Sequence, residues 1–87
     1  MITVFLADGF EEIEALATVD ILRRAGLIVS TVGVDTTNPI GAHKMQVKAD
    51  LKDTQLEFSA LTAVILPGGM PGTLNLEKSA AVQEAVK

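Results

Sequence analysis

Glu14 is the titratable residue best placed for chemistry, and Gly68-Gly69 is the backbone segment best suited to meet it. The glycines close the run Ala63-Val64-Ile65-Leu66-Pro67-Gly68-Gly69-Met70-Pro71-Gly72, where a strand-type apolar stretch gives way to a turn. Consecutive N–H groups in a tight turn form an anion-binding concavity, so Gly68 and Gly69 read as candidate oxyanion donors. A plain strand-to-helix turn would also use glycine, for its backbone freedom. The spacing matches neither G-x-G-x-x-G nor G-x-x-x-x-G-K-[ST], which excludes a dinucleotide or P-loop site. Glu14, at about 100° per residue, projects between Ile21 and Ala25 with Ala17 and Thr18 nearby in angle, while Glu11 and Glu12 point to either side. A carboxylate on such an apolar stripe is expected to be buried, which would raise its pKa and let it donate a hydrogen bond to a thiolate or alkoxide. The plain alternative is a solvated glutamate serving the helix dipole.

The remaining chemistry is sparse. The chain has no cysteine and one histidine, which excludes disulfides, a thiolate metal site and a thiol nucleophile within these residues. His43 reads as a surface or dimer-contact residue, and Met45 and Met70 as packing residues. A net charge of -4 argues against nucleic acid or an anionic membrane as partner. No apolar run approaches the ~20 residues of a membrane span, and Met1-Ile2-Thr3-Val4 lacks a basic signal-peptide start, so a cytoplasmic protein is expected.

These candidate groups need a scaffold, and the element order supplies one. Residues 2–7 are β-branched and apolar, as in a central parallel strand covered on both faces. Asp8-Gly9-Phe10 breaks the strand, and Glu11, Glu12 and Glu14 favour a helix start. That helix should run to Ala25 and stop at Gly26 after Arg23 and Arg24, with Asp20 and Arg24 paired at i,i+4. A second strand is expected over 27–34, completing a β-α-β unit. Turn chemistry follows over 35–41, then an edge strand or hairpin arm over 43–48, and over 49–60 a loop with a short helical turn. A third strand is expected over 61–66, and a mostly helical segment over 73–87 that starts with Thr73 as N-cap. This helix has no stop signal, which suggests truncation or cleavage. Strands alternating with helices predict a parallel sheet with helices on both faces and ligands at the carboxyl ends of the strands. The loops 8–12 and 67–72 both lie at that edge.

Asp8-Gly9-Phe10-Glu11-Glu12-Ile13-Glu14-Ala15 and Val19-Asp20-Ile21-Leu22-Arg23-Arg24-Ala25-Gly26 resemble the opening of the ThiJ/PfpI family, to which the Parkinson-disease-linked protein deglycase belongs. The likeness continues through Val64-Ile65-Leu66-Pro67-Gly68-Gly69, Asn75-Leu76 and Ser79-Ala80-Ala81-Val82, and is looser between Asp35 and Ala60. The resemblance implies a flavodoxin-like α/β domain, of which residues 1–87 are the N-terminal portion and which is incomplete in this chain. It also implies that Glu14 is the family's buried glutamate, a hydrogen-bond partner of a reactive cysteine, and that Gly68 and Gly69 are backbone donors facing that cysteine. The cysteine would lie in a C-terminal portion, with a homodimer as the assembly. Glyoxalase- or deglycase-like chemistry on small reactive carbonyl compounds is implied, with no cofactor and no metal. Two alternatives stay open. One is a non-catalytic redox, stress-response or chaperone-like member of the family. The other is a glutamine amidotransferase-like domain, which shares the Leu66-Pro67-Gly68-Gly69 turn but has no counterpart of Glu14. A free-standing flavodoxin-like binding module is a further reading.

Overall fold

The computed structural model describes residues 1–86. Its elements are β1 (Ile2–Leu6), α1 (Glu12–Arg24), β2 (Val29–Gly33), β3 (Leu51–Lys52), β4 (Ala63–Ile65), α2 (Gly72–Lys78) and α3 (Ala80–Ala85). The four strands form one sheet in the order β3-β2-β1-β4, and every pairing is parallel. The central position of β1 explains its unbroken apolar run: Val4 pairs with Thr31 on one side and Ile65 on the other. Because side chains alternate across a strand, β1 feeds two cores. Phe5 and Ala7 join Val32, Val34, Leu56, Leu76 and Val82 on the α2/α3 face. Val4 and Leu6 join Phe10, Ala15, Val19 and Val29 on the α1 face.

Sequence signals set both ends of α1. Glu11 is the N-cap, its carboxylate accepting the Ile13 N–H at 2.9 Å. At the other end the Gly26 N–H reaches the Arg23 carbonyl at 3.0 Å and the Leu27 N–H reaches that of Leu22 at 3.2 Å. That is a Schellman cap, and Gly26 takes the left-handed conformation it requires, at φ 84°. The expected Asp20–Arg24 pair forms at 3.0 Å between exposed side chains.

Several expected boundaries shift. Of the two readings for 43–48, the hairpin arm holds and the edge strand does not: the segment turns back with one antiparallel bridge, Ile40 to Gln46, and the Val47 N–H donates to the Pro39 carbonyl at 3.0 Å. Leu51–Lys52 forms a short strand that its sequence did not announce, held where the Asp50 carboxylate accepts the Thr31 N–H at 2.9 Å and Arg23 at 2.7 Å. The strand expected over 61–66 is therefore the fourth, and only Ala63–Ile65 is paired. The segment expected over 73–87 is mostly helical as two helices divided at Ser79, whose extended backbone ends α2 and whose hydroxyl accepts the Val82 N–H to cap α3. Lys87, the last residue of that expectation, lies outside the described residues. Thr73 is not the N-cap: α2 starts at Gly72, and the Thr73 hydroxyl instead donates to the Gly69 carbonyl at 3.0 Å. From β1 the chain leads to β2 on one side, while β4 occupies the other. This places a topological switch at the carboxyl ends of β1 and β4.

Candidate functional site

At that switch the two loops singled out from the sequence meet. The Gly68 N–H donates to Glu14 Oε1 at 2.6 Å, and the Glu11 N–H donates to the Gly68 carbonyl at 2.9 Å. The start of α1 is thus tied to the glycine turn at two points. Close approach dictates Gly69, whereas at Gly68 a side chain would be tight but not excluded. A Cβ on Gly68 would sit 3.3 Å from each carboxylate oxygen of Glu14. Gly69 has φ +104°, and a Cβ there would lie 2.6 Å from the Glu11 nitrogen and 2.9 Å from the Gly9 carbonyl oxygen. Behind the turn, the Thr73 N–H also reaches the Gly69 carbonyl at 2.9 Å, and the Asn75 amide donates to the Asp8 carbonyl at 2.7 Å.

Two expectations need correction. Glu14 is exposed in this structure, because α1 buries Glu12, Ala15 and Val19 against the sheet and turns the stripe of Ala17, Ile21 and Ala25 outward. The Gly68 N–H is also not free for an oxyanion: Glu14 already occupies it. Among the described residues the Gly69 N–H forms no hydrogen bond and remains available. An apolar cleft of about 310 Å³ opens beside the turn, lined by Leu66, Pro67, Gly68, Thr73, Leu76 and Val82.

The buried acid is Glu12, 3% exposed. Its Oε2 accepts the N–H groups of His43 at 2.8 Å and Met45 at 3.2 Å, and its Oε1 lies 2.9 Å from His43 Nδ1. Burial works to raise the Glu12 carboxyl from its ordinary 4.5. The hydrogen bonds from the His43 ring and the backbone outweigh burial and hold it at about 2. His43 is pushed up from 6.5, first by its hydrogen bond to Glu12 and then by the charges of Glu12 and Glu11. The His43 side chain is 65% exposed, so its surface placement agrees with the sequence reading, but the sequence left its carboxylate partner unread. One signal was available: Glu12 shares the i, i+3, i+7 spacing of Ala15 and Val19.

Glu11, Glu12 and His43 each bring a ligand atom within 4.8 Å of the others, the arrangement a cation would need. Both Glu12 oxygens are already engaged, however, and the trio sits at the positive end of the α1 dipole, so it forms an ion-pair cluster. No helix among the described residues is long and apolar enough to cross a membrane.

A parallel α/β sheet with a carboxylate held on a glycine turn at its switch point defines a domain of the flavodoxin-like class. The model of the DJ-1/PfpI family matches residues 1–87, and the chain belongs to that family. It is 36% identical over 87 residues to the Parkinson disease protein 7 homolog of Danio rerio, covering 97% of this chain and 46% of that protein. Among solved structures, oxidized Toxoplasma gondii DJ-1 superposes with a TM-score of 0.93 at 35% identity, over 98% of this chain and 47% of that one. A cysteine-to-alanine mutant of a DJ-1 superfamily protein from Salmonella typhimurium gives 0.91 at 38% identity, over 98% and 46%. The chain spans about half the length of the relatives it matches.

Proposed function

We propose that this chain supplies the proton partner and the oxyanion turn of a cysteine-dependent protein acting on small reactive carbonyl compounds, in the manner of a glyoxalase or deglycase. The 2.6 Å hydrogen bond from Gly68 to Glu14 carries this reading, because it fixes one carboxyl oxygen and leaves the other to a reacting group. The nucleophile is a cysteine contributed by a C-terminal portion. The thiolate pair forms the C–S bond to the carbonyl carbon, and the carbonyl π pair moves onto oxygen. The Gly69 N–H holds that oxyanion, the free oxygen of Glu14 gives it a proton to form the hemithioacetal, and Glu14 regains the proton from that hydroxyl when the C–S bond breaks and the thiolate leaves. Exposure of Glu14 and an apolar cleft beside Gly68 fit a face that the C-terminal portion covers. Ile13, Ile21 and Ile28 are 79%, 64% and 77% exposed, and this apolar surface suits a homodimer contact. The cytoplasm is the compartment we assign.

The test is consumption of a small aldehyde by the complete protein and its Glu14→Gln and Glu14→Leu variants. Both should be slower, with Leu the slower, since Gln retains a donor. Unchanged turnover in the Leu variant would remove the enzymatic role. A redox-responsive role for the same cysteine is the second reading, favoured by the oxidized state in which the Toxoplasma gondii relative was solved. It predicts thiol reactivity that depends on Glu14 without aldehyde turnover.

A further inference from the structure

Glu12 and Glu14 leave α1 roughly 200° apart around its axis, and each carboxylate lands on a glycine. Glu14 meets Gly68; Glu12 meets Gly41, where an added Cβ would fall 2.2 Å from its Cδ and Oε2. The segment that carries Gly41 runs alongside the β1–α1 loop as a strap. The Gly9 N–H donates to the Ile40 carbonyl at 2.8 Å, the Ile40 N–H to Asp8 Oδ1 at 3.0 Å, and the Ala42 N–H to the Phe10 carbonyl at 2.8 Å. The strap then closes on Glu12 with the N–H groups of His43 and Met45 and the His43 ring. The first turn of α1 is therefore held from two sides. Rolling the helix to free Glu12 would drag Glu14 off Gly68, and the reverse.

We infer that His43 is a positioning residue: by clamping Glu12 it sets the roll of α1 and so keeps Glu14 on the Gly68 N–H. The inference deepens the proposed function and rests on the role given there to Glu14, while its test reads Gly68 directly. The charged groups facing the His43 ring are Glu12 and Glu11 at the start of α1, and Lys44 follows it on the strap. Both carboxylates favour the imidazolium, so the clasp is tightest with His43 protonated. As pH rises through the raised His43 value, it relaxes to a neutral Nδ1–H hydrogen bond.

The experiment is amide hydrogen exchange and 1H–15N chemical shift at Gly68 in the intact protein, with Val32 in the core of β2 reporting global opening. His43→Ala should speed Gly68 exchange relative to Val32 about fivefold, the scale of one lost charge-assisted hydrogen bond. His43→Asn places an amide N–H where Nδ1–H stood and should restore most of the protection. The wild-type Gly68 shift should show a pH step centred above 6.5 that His43→Asn lacks. Unchanged Gly68 exchange in His43→Ala, equal acceleration of Gly68 and Val32, failure of Asn to rescue, or a pH step shared with the Asn variant would each overturn the inference. A thiol indifferent to Glu14 would remove the proposed chemistry and leave this coupling intact, so the two failures are distinguishable.

Discussion

Replacing Gly69 with alanine should cost far more than replacing Gly26, although both glycines hold a positive φ. Gly69 has φ +104° and Gly26 φ +84°, so each alanine pays a left-handed strain of roughly 1–2 kcal/mol. Alanine also lowers the entropy of the unfolded chain equally in both, by about 0.4–1 kcal/mol. The difference lies in space. Nothing lies within 4 Å of a Cβ at Gly26. At Gly69 a Cβ would meet the Glu11 nitrogen at 2.6 Å, the Gly9 oxygen at 2.9 Å and the Phe10 carbonyl carbon at 3.1 Å. All three are backbone atoms that cannot swing aside, and such overpacking adds roughly 1–3 kcal/mol. Gly69→Ala should therefore be less stable than Gly26→Ala by about 1–3 kcal/mol. Urea denaturation of both variants beside wild type, with unchanged m-values, reads the difference. The shift should also separate the β1–α1 loop from the glycine turn, weakening the Glu11–Gly68 hydrogen bond and moving both amide resonances. Equal losses in the two variants, or a larger loss at Gly26, would refute close packing of the two loops.

Stability should depend on pH through the clasp. The Glu12 carboxyl is held at about 2 against an ordinary 4.5, so its contribution is present above 4.5 and fades as pH falls toward 2. Glu12→Gln should flatten that acid limb in melting curves taken across the window. His43 is raised, so its contribution is complete below 6.5 and is lost as pH rises through the folded value; His43→Asn should flatten that limb. Ser79→Ala should destabilise by about 1 kcal/mol in denaturant melts, because it removes the cap of α3. Asp20→Asn should change stability by less than about 0.5 kcal/mol, since its pair with Arg24 is solvent-exposed; a larger loss would indicate a contact beyond that pair.

The parts of this fold that local physics dictates were readable from the chain. The apolar run of β1, the Arg23-Arg24-Ala25-Gly26 stop and the Pro67-Gly68-Gly69 turn each state their conformation within a few residues, and together they imply the parallel sheet and its functional edge. What depends on distant partners was not readable. Leu51–Lys52 is a strand because it pairs with Val32 and Gly33 of β2, beside the bridges from Asp50 to Thr31 and Arg23. Glu12 is buried because a strap some 30 positions away presents two N–H groups and an imidazole, as its bond to His43 spans a separation of 31 residues. The error over Glu14 has a different origin. Ala17, Ile21 and Ala25 form an apolar stripe as periodicity indicates, but periodicity does not say whether a stripe faces the domain's own core or an external surface. Here Ala15 and Val19 take the core.

The most direct measurement is a pH titration of thiol alkylation in the complete protein, comparing wild type with Glu14→Gln and Glu14→Leu. In the role proposed for it, a carboxyl anchored on Gly68 would donate from its free oxygen to the thiolate and lower the pKa of the thiol. The Leu curve should therefore lie at higher pH than wild type, with Gln between them. Three superimposed curves would contradict the assignment of Glu14 as the partner of the reactive thiol.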